Sequence, residues 1–198
     1  FILGIQKKEK TIYDLPYSFW ESHTDTDILK RNTGTMVVGS FAAMGILYLM
    51  PSSFTNWDSD DRKKPWKKWW DNVSRAPVWD KDDFFLNYIT HPYFGAVYYM
   101  GARSAGAGAG YSFLYSAALS TFFWEYGVEA LAERPSIQDL FITPIVGSIL
   151  GEGFYIAKRH IQENNNELLG SKIVGKTVLC LMDPITEFTD WLFSSSPE

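Results

Sequence analysis

The chain has 198 residues, 46% of them hydrophobic and 21% charged, which suits one globular domain and excludes a disordered or collagen-like chain. Its formal charge of −5 argues against nucleic acid as a partner, because nucleic-acid binding needs basic surface to neutralise phosphates. The single cysteine, Cys180, excludes an intrachain disulfide and a multi-cysteine zinc site.

Residues 1–31 mix charged and aromatic side chains without a helical or strand period, which predicts an irregular lead-in that lies on another surface. The chain begins at Phe1 without a Met, as expected after removal of a leader or trimming of a terminus. The next stretch is uncharged, and a helix is predicted over residues 34–50, ending before Pro51. Its length is marginal for a membrane span of about 20 residues. This helix could be a membrane span or a buried core helix, and the sequence leaves both alternatives open. A mean hydropathy of −0.13 argues against a chain made mostly of membrane spans.

Residues 58–83 form a polar bridge in a chain whose aromatic content is 17%. Tryptophan interleaved with lysine is typical of an anionic lipid surface, where the ring lies at headgroup depth and the ammonium reaches phosphate. A solvated loop with docked tryptophans is the equal alternative, and single-stranded nucleic acid is a distant third. The candidate binding residues are Trp66, Lys67, Lys68, Trp69 and Trp70.

Residues 84–158 are the most apolar part of the chain. A helix is predicted to begin near His91 and to end before the glycine-rich run at 105–110, which is unsuited to a regular element. A second helix is predicted over about 111–132. It carries serines at steps of four and then glutamates at steps of four, so that each set shares a face. The stripes are Ser112, Ser116 and Ser120, then Glu125, Glu129 and Glu133.

A third helix is predicted to start at Ser136, an N-cap whose capping box would be closed by Asp139. Small and polar residues at steps of four from Asp139 to Tyr155 favour a close helix contact, and Pro144 predicts a kink. After a polar turn at 162–167, one more helix is predicted over about 168–182. The helical domain is expected to cover 32–187, and a frayed tail is expected over 188–198.

Motifs of nucleotide binding, serine hydrolysis and calcium binding fail on spacing, and the Glu-x-x-His pattern of di-iron bundles does not occur. No metal and no cofactor are therefore predicted. Polar residues on the three apolar helices could still converge, and they are the candidates for acid/base or metal chemistry. The candidates for catalysis are His91, Glu125, Glu129, Asp139 and Glu152, with Arg103 as a candidate for binding.

The alternative interpretation of these residues is a structural network. In that network Arg103 would pair with Glu125 or Glu129, Asp139 would cap a helix, and Glu152 would tie a helix to a backbone amide. The sequence leaves open whether the chain is an enzyme.

A set of short motifs is spread along the chain: the run from His91 to Arg103, Trp124-Glu125-Tyr126-Gly127 with Glu129, Pro135 to Leu140, Thr143-Pro144, Gly151-Glu152, Leu169-Gly170-Ser171 and Asp183-Pro184. Together these motifs resemble the bacterial domain-of-unknown-function family 3943, over roughly residues 40–187. The resemblance implies an exported, membrane-associated envelope protein of Gram-negative bacteria with no established activity. Family members often carry a strand-rich C-terminal region that is not found in this sequence.

The prediction is a mainly α fold of four or five apolar helices around a buried polar cluster, embedded in or associated with a membrane. The expected function is a non-enzymatic structural or accessory subunit of a bacterial envelope assembly, in the periplasm or at the outer membrane. It would bind lipid, and other envelope proteins, through its aromatic surface. The alternative is an enzyme acting on a lipid or cell-wall substrate, in which Arg103 holds an anionic headgroup. Proton or ion transport is weaker, because few segments are long enough to span.

Overall fold

The computed structural model describes residues 17–51, 64–79 and 84–194, apart from the side chains of Leu86 and Ser194. Residues 1–16 of the expected lead-in, residues 58–63 and 80–83 of the polar bridge, and residues 195–198 of the expected tail lie outside these ranges. In the described ranges the fold is mainly α, as predicted, and strand-type pairing is limited to isolated bridges. The α-helices are α1 (Thr26–Leu49), α2 (Pro65–Val73), α3 (His91–Arg103), α4 (Ala109–Ala118), α5 (Ile137–Phe141), α6 (Gly147–Glu163), α7 (Lys172–Met182) and α8 (Pro184–Ser194).

Three π-helical segments interrupt or extend these helices. The segment Leu86–Thr90 leads into α3, Leu119–Val128 continues α4 and ends in a 3-10 turn at Glu129–Leu131, and Ile142–Val146 joins α5 to α6. The last segment contains Pro144, which has no N–H to donate, and the helix changes to π geometry where the kink was expected. Residues 137–163 nevertheless form a nearly continuous helix.

The boundaries of two predicted elements differ from expectation. Helix α1 starts at Thr26, inside the predicted lead-in, because the side chain of Asp25 caps it by accepting bonds from the amides of Asp27 and Ile28 at 2.9 and 3.1 Å. At the other end, α8 continues to Ser194, through most of the stretch predicted to be frayed. It begins with Asp183 accepting a bond from the Thr186 amide at 3.3 Å, so Asp183 starts a helix as well as ending one.

The glycine-rich run forms a turn between α3 and α4, as predicted. The chain preceding α1 lies along this turn, with the His23 amide bonded to the Gly106 carbonyl at 3.0 Å and the Gly110 amide bonded to the Phe19 carbonyl at 2.8 Å. A Cβ at Gly108 would come within 2.7 Å of the Glu21 carbonyl oxygen, so the approach requires glycine. The described part of the lead-in therefore does lie on another surface.

Helix α3 is central, with α4 and α6 packed against it. The contact with α6 is backbone to backbone, because a Cβ at Gly147 would come within 2.6 Å of the Gly95 Cα. The predicted small-residue face is thus confirmed. Ser116 of the serine stripe also contacts α3, its Oγ donating to the Gly95 carbonyl at 2.9 Å.

Polarity is distributed unusually across the domain. Buried side chains include many serines, threonines, asparagines and charged residues, whereas a compact apolar cluster is formed by Ile161, Leu179 and Met182. Large apolar side chains on several helices face outward, among them Phe122 at 74% exposed and Ile149 at 71%. The interior of the domain therefore mixes apolar side chains with many polar ones, and large apolar side chains are also found on its surface.

Candidate functional site

The acidic cluster, defined as His91, Glu125, Glu129 and Asp139, lies where three elements meet. His91 is the first residue of α3, Glu125 and Glu129 lie in and just after the π segment that continues α4, and Asp139 lies in the first turn of α5. Each of these elements adjoins or contains a π segment. Such segments are rare and are frequent at functional sites.

Hydrogen bonds fix the position of Asp139. The Ser136 hydroxyl accepts a bond from the Asp139 amide at 3.2 Å, which confirms Ser136 as the N-cap. The reciprocal half of the predicted capping box differs, since the Ser136 amide donates to Glu125 Oε2 at 3.0 Å. The N-terminus of α5 is completed by Val78, whose carbonyl accepts from the Ile137 amide at 2.8 Å. Glu125 thus takes the role expected of Asp139, and the carboxylate of Asp139 can turn toward His91.

His91 faces Asp139 and the π segment that contains Thr143. Its Nδ1 lies 3.4 Å from Asp139 Oδ1 and 3.3 Å from the Thr143 hydroxyl. Glu125 and Asp139 are 1% and 3% exposed, and the side chain of His91 is 14% exposed. One ligand atom from each of His91, Glu125 and Asp139 lies within 4.8 Å of the other two.

Glu129 adds a further carboxyl to this cluster. Burial, together with the neighbouring carboxylates of Glu125, Glu133 and Asp139, raises the pKa of the Glu129 carboxyl well above its ordinary value. The acidic cluster can therefore hold a proton, and its ligand types could also hold a cation.

Two further candidates, Arg103 and Glu152, lie together in a separate pair. Arg103 Nε donates to Glu152 Oε2 at 3.0 Å and Nη2 to Oε1 at 3.3 Å, while Nη1 donates to the Ala107 carbonyl at 2.8 Å. Tyr99 donates to the same carboxylate, and the guanidinium lies 3.8 Å from the centre of the Tyr155 ring. The expectations that Arg103 pairs with Glu125 or Glu129, and that Glu152 binds a backbone amide, were wrong. The contact of α3 with α6 brings Arg103 to Glu152 instead.

A third group, the lysine network of Lys158, Asp183, Glu187 and Ser104, was missed in the sequence. Lys158 Nζ lies 2.8 Å from Asp183 Oδ2 and 2.9 Å from Glu187 Oε1, and Ser104 donates to Asp183. Lys158 and Asp183 are fully buried. The signal that could have found them is the position of Lys158 three residues after Tyr155, which extends the buried face of α6.

Helix α2 carries the candidate lipid-binding residues, and the structure divides them. Trp69 Nε1 donates to the Tyr126 carbonyl at 2.8 Å, and Asn72 Nδ2 donates to the Ala130 carbonyl at 3.0 Å. Helix α2 is therefore docked on the π segment and the 3-10 turn that follow α4. Trp66 and Trp70 are 76% and 63% exposed. Lys67 is exposed too, and Lys68 is half-buried.

The family model described as "Domain of unknown function (DUF3943)" matches residues 76–185, which is more than half of the chain. The chain belongs to this family. Searches of curated proteins and of solved structures find no match. The acidic cluster, the Arg103–Glu152 pair and Lys158 all lie inside the matched region, whereas α2 precedes it.

Proposed function

We propose that the chain is a non-enzymatic, membrane-embedded structural or accessory subunit of a bacterial envelope assembly. Its apolar outer surface would contact lipid acyl chains, and α2 would lie at the depth of the headgroups. The observation that carries the proposal is the distribution of polarity, in which many large apolar side chains face outward while numerous polar and charged side chains are buried among the apolar core. Monomeric soluble proteins rarely expose large contiguous apolar patches, and buried charges inside a membrane domain are paired, as Arg103 and Lys158 are.

Two helices support the proposal by their length and composition. Thr26–Leu49 and Ile137–Glu163 are long and apolar enough to cross a membrane, and only 17% and 33% of their most apolar stretches are buried within the protein. The core helix of a soluble protein would be mostly buried. The backbone contact of Gly95 with Gly147 is also the kind of small-residue packing by which helices associate in lipid.

Helix α2 supports a position at the membrane surface. Its docked residues, Trp69 and Asn72, fix the helix on the domain and leave Trp66, Trp70 and Lys67 exposed. Indole rings are enriched at the membrane interface, and a lysine beside them can reach an anionic headgroup.

The enzyme alternative needs Arg103 beside the acid/base residues as an anchor for an anionic headgroup. The three donor nitrogens of Arg103 are instead engaged by Glu152 and by the Ala107 carbonyl. This arrangement favours the structural role.

The proposal is tested by reconstituting the full chain into vesicles of phosphatidylethanolamine and phosphatidylglycerol with brominated acyl chains. Bromine quenches nearby tryptophans, so the fluorescence should fall, and the protein should stay with the vesicles in alkaline carbonate. Release by carbonate without quenching would contradict the proposal. If extraction of native membranes releases the chain together with a second protein in stoichiometric amount, the apolar surface would contact that protein and not lipid.

Matched variants separate the lipid surface from the docking residues. The double variant Trp66→Ala with Trp70→Ala should lose part of the quenching and keep its thermal stability, because both rings face outward. Trp69→Ala should lower stability, because it removes the bond to Tyr126. Equal effects of the two changes on quenching would contradict the assigned orientation of α2.

A further inference from the structure

We propose that His91, Glu125 and Asp139 form a binding site for one divalent transition-metal ion, with Zn²⁺ as the probe that tests it. This inference goes beyond the proposed function and does not depend on where the protein resides. It departs from the expectation of no metal, which was based on spacing motifs along the chain. The three residues are separated in sequence and are brought together by the packing of α3, the π segment after α4, and α5.

The ligand chemistry indicates the class of ion. One imidazole and two carboxylates form a mixed nitrogen and oxygen set, which suits Zn²⁺, Mn²⁺ or Fe²⁺ better than Mg²⁺ or Ca²⁺, which prefer oxygen ligands. Glu125 and Asp139 are buried, which distinguishes this group from the acidic clusters that are common on protein surfaces.

The geometry needs a modest adjustment. Zn²⁺ binds nitrogen and oxygen at about 2.0–2.2 Å with tetrahedral angles, so its ligand atoms lie about 3.3–3.6 Å apart. The three ligand atoms lie within 4.8 Å of one another, and side-chain rotations of about an ångström would close the site. The Ser136 amide, which donates to Glu125 Oε2, and the Ser136 hydroxyl, which accepts from the Asp139 amide, already hold two of the ligand residues in place.

A second observation comes from Glu129, whose carboxyl lies beside that of Glu125. Among the described residues none hydrogen-bonds to Oε2 of Glu129, although this atom is buried. A buried oxygen without a donor is costly unless something positive approaches it. A cation held by Glu125 would supply that charge, so Glu129 is placed to stabilise the bound ion.

The bound ion would tie together the first residue of α3, the π segment after α4 and the first turn of α5. Metal binding contributes to folding stability when a site forms only in the folded chain. The domain should therefore be more stable with Zn²⁺ than after treatment with a chelator.

The experiment is a calorimetric titration of Zn²⁺ into the full chain, purified in mild detergent and stripped with EDTA. One Zn²⁺ should bind per chain, and His91→Ala and Asp139→Asn should each weaken binding by at least about tenfold. Substitution of residues that only hydrogen-bond to a metal ligand already lowers metal affinity by about 10–100-fold, so loss of a ligand should cost at least as much. The other histidines, His23 and His160, are exposed and provide controls. His23→Ala and His160→Ala should bind as the unchanged chain does.

X-ray absorption of the Zn²⁺-loaded unchanged chain provides a measurement that no folding defect of a variant can affect. The spectrum should show one imidazole with oxygen ligands at about 2.0–2.1 Å. A sulfur ligand would assign the ion to the exposed Cys180 and would overturn the proposal. So would the absence of binding by the folded chain, or unchanged affinity in a folded His91→Ala. Those results would leave protons as the means by which the acidic cluster is neutralised.

Discussion

The lysine network and the acidic cluster are both buried and both polar, but they differ in how charge is compensated. In the lysine network, Asp183 Oδ2 lies 2.8 Å from Lys158 Nζ and accepts a hydrogen bond from the hydroxyl of Ser104. Lys158 also forms an ion pair with Glu187. In the acidic cluster, three carboxyls lie with one imidazole, and burial together with the neighbouring carboxylates raises the pKa of the Glu129 carboxyl. In the first arrangement a buried lysine neutralises the buried carboxylate, as expected of a structural element. The second gathers several carboxyls around one that can hold a proton, as expected of a functional site.

The largest effect should come from breaking the lysine network with Lys158→Met. Methionine fills a similar volume but leaves Asp183 buried without its cation, and breaking a buried pair in this way costs about 3–5 kcal/mol of unfolding free energy. Thermal unfolding in detergent, followed by near-UV circular dichroism, measures the change. Lys176→Met, at an exposed position on α7, is the control and should have little effect. A small effect of Lys158→Met would remove the contrast between the two clusters.

The next largest effect should come from Gly147→Ala. Along the helical stretch 137–163, Gly147 follows Thr143, which contacts His91, and precedes Lys158 of the lysine network, so a change there affects both clusters. The added Cβ would come within 2.6 Å of the Gly95 Cα and would push α6 away from α3. Overpacking of this kind costs about 1–3 kcal/mol, measured by the same unfolding experiment. Gly153→Ala on the same helix meets nothing within 4 Å and should stabilise by about 0.5–1 kcal/mol. Equal effects at the two glycines would mean that the helices are not in backbone contact.

A smaller effect is expected from Ser136→Ala, which removes an N-cap and releases the amide of Asp139. The loss should be about 1 kcal/mol. Ser171→Ala provides a matched control, because Ser171 caps α7 by accepting from the Val174 amide. Both variants should lose similar stability, and only Ser136→Ala should weaken Zn²⁺ binding in calorimetry. Weakening by both would indicate a general effect of stability on binding.

The smallest effect, with the opposite sign, is expected from Glu129→Gln. A neutral amide removes repulsion with Glu125, so the metal-free domain should gain at least about 0.3 kcal/mol. Unfolding in EDTA measures this change, and Glu163→Gln at an exposed position should leave stability unchanged. Destabilisation by Glu129→Gln would show that its carboxyl has a structural partner, and the acidic cluster would then resemble the lysine network.

Features that depend on neighbours in the chain were predictable from the sequence. Helix N-caps, glycine turns and helix faces are set by residues a few positions apart, so Ser136, the run at 105–110 and the small-residue face around Gly147 were identified correctly. The start of α1 was missed because Asp25, its cap, lies within a stretch of charged residues that has no helical period. The family membership also followed from motifs that are local in the chain.

The sequence by itself determined the helices of the apolar region, which of their faces are small or polar, and that several carboxylates there need partners. It did not predict the start of α1, the helix α2 within the polar bridge, or α8. The tertiary structure alone decided the partners. Arg103 binds Glu152, Glu125 binds the Ser136 amide, Trp69 docks on the domain, and Lys158 meets Asp183. The physical reason is that periodicity fixes the direction of a side chain around its own helix. The distance between two side chains on different helices depends on where those helices cross, and that is set by the Gly95–Gly147 contact and by the three π segments.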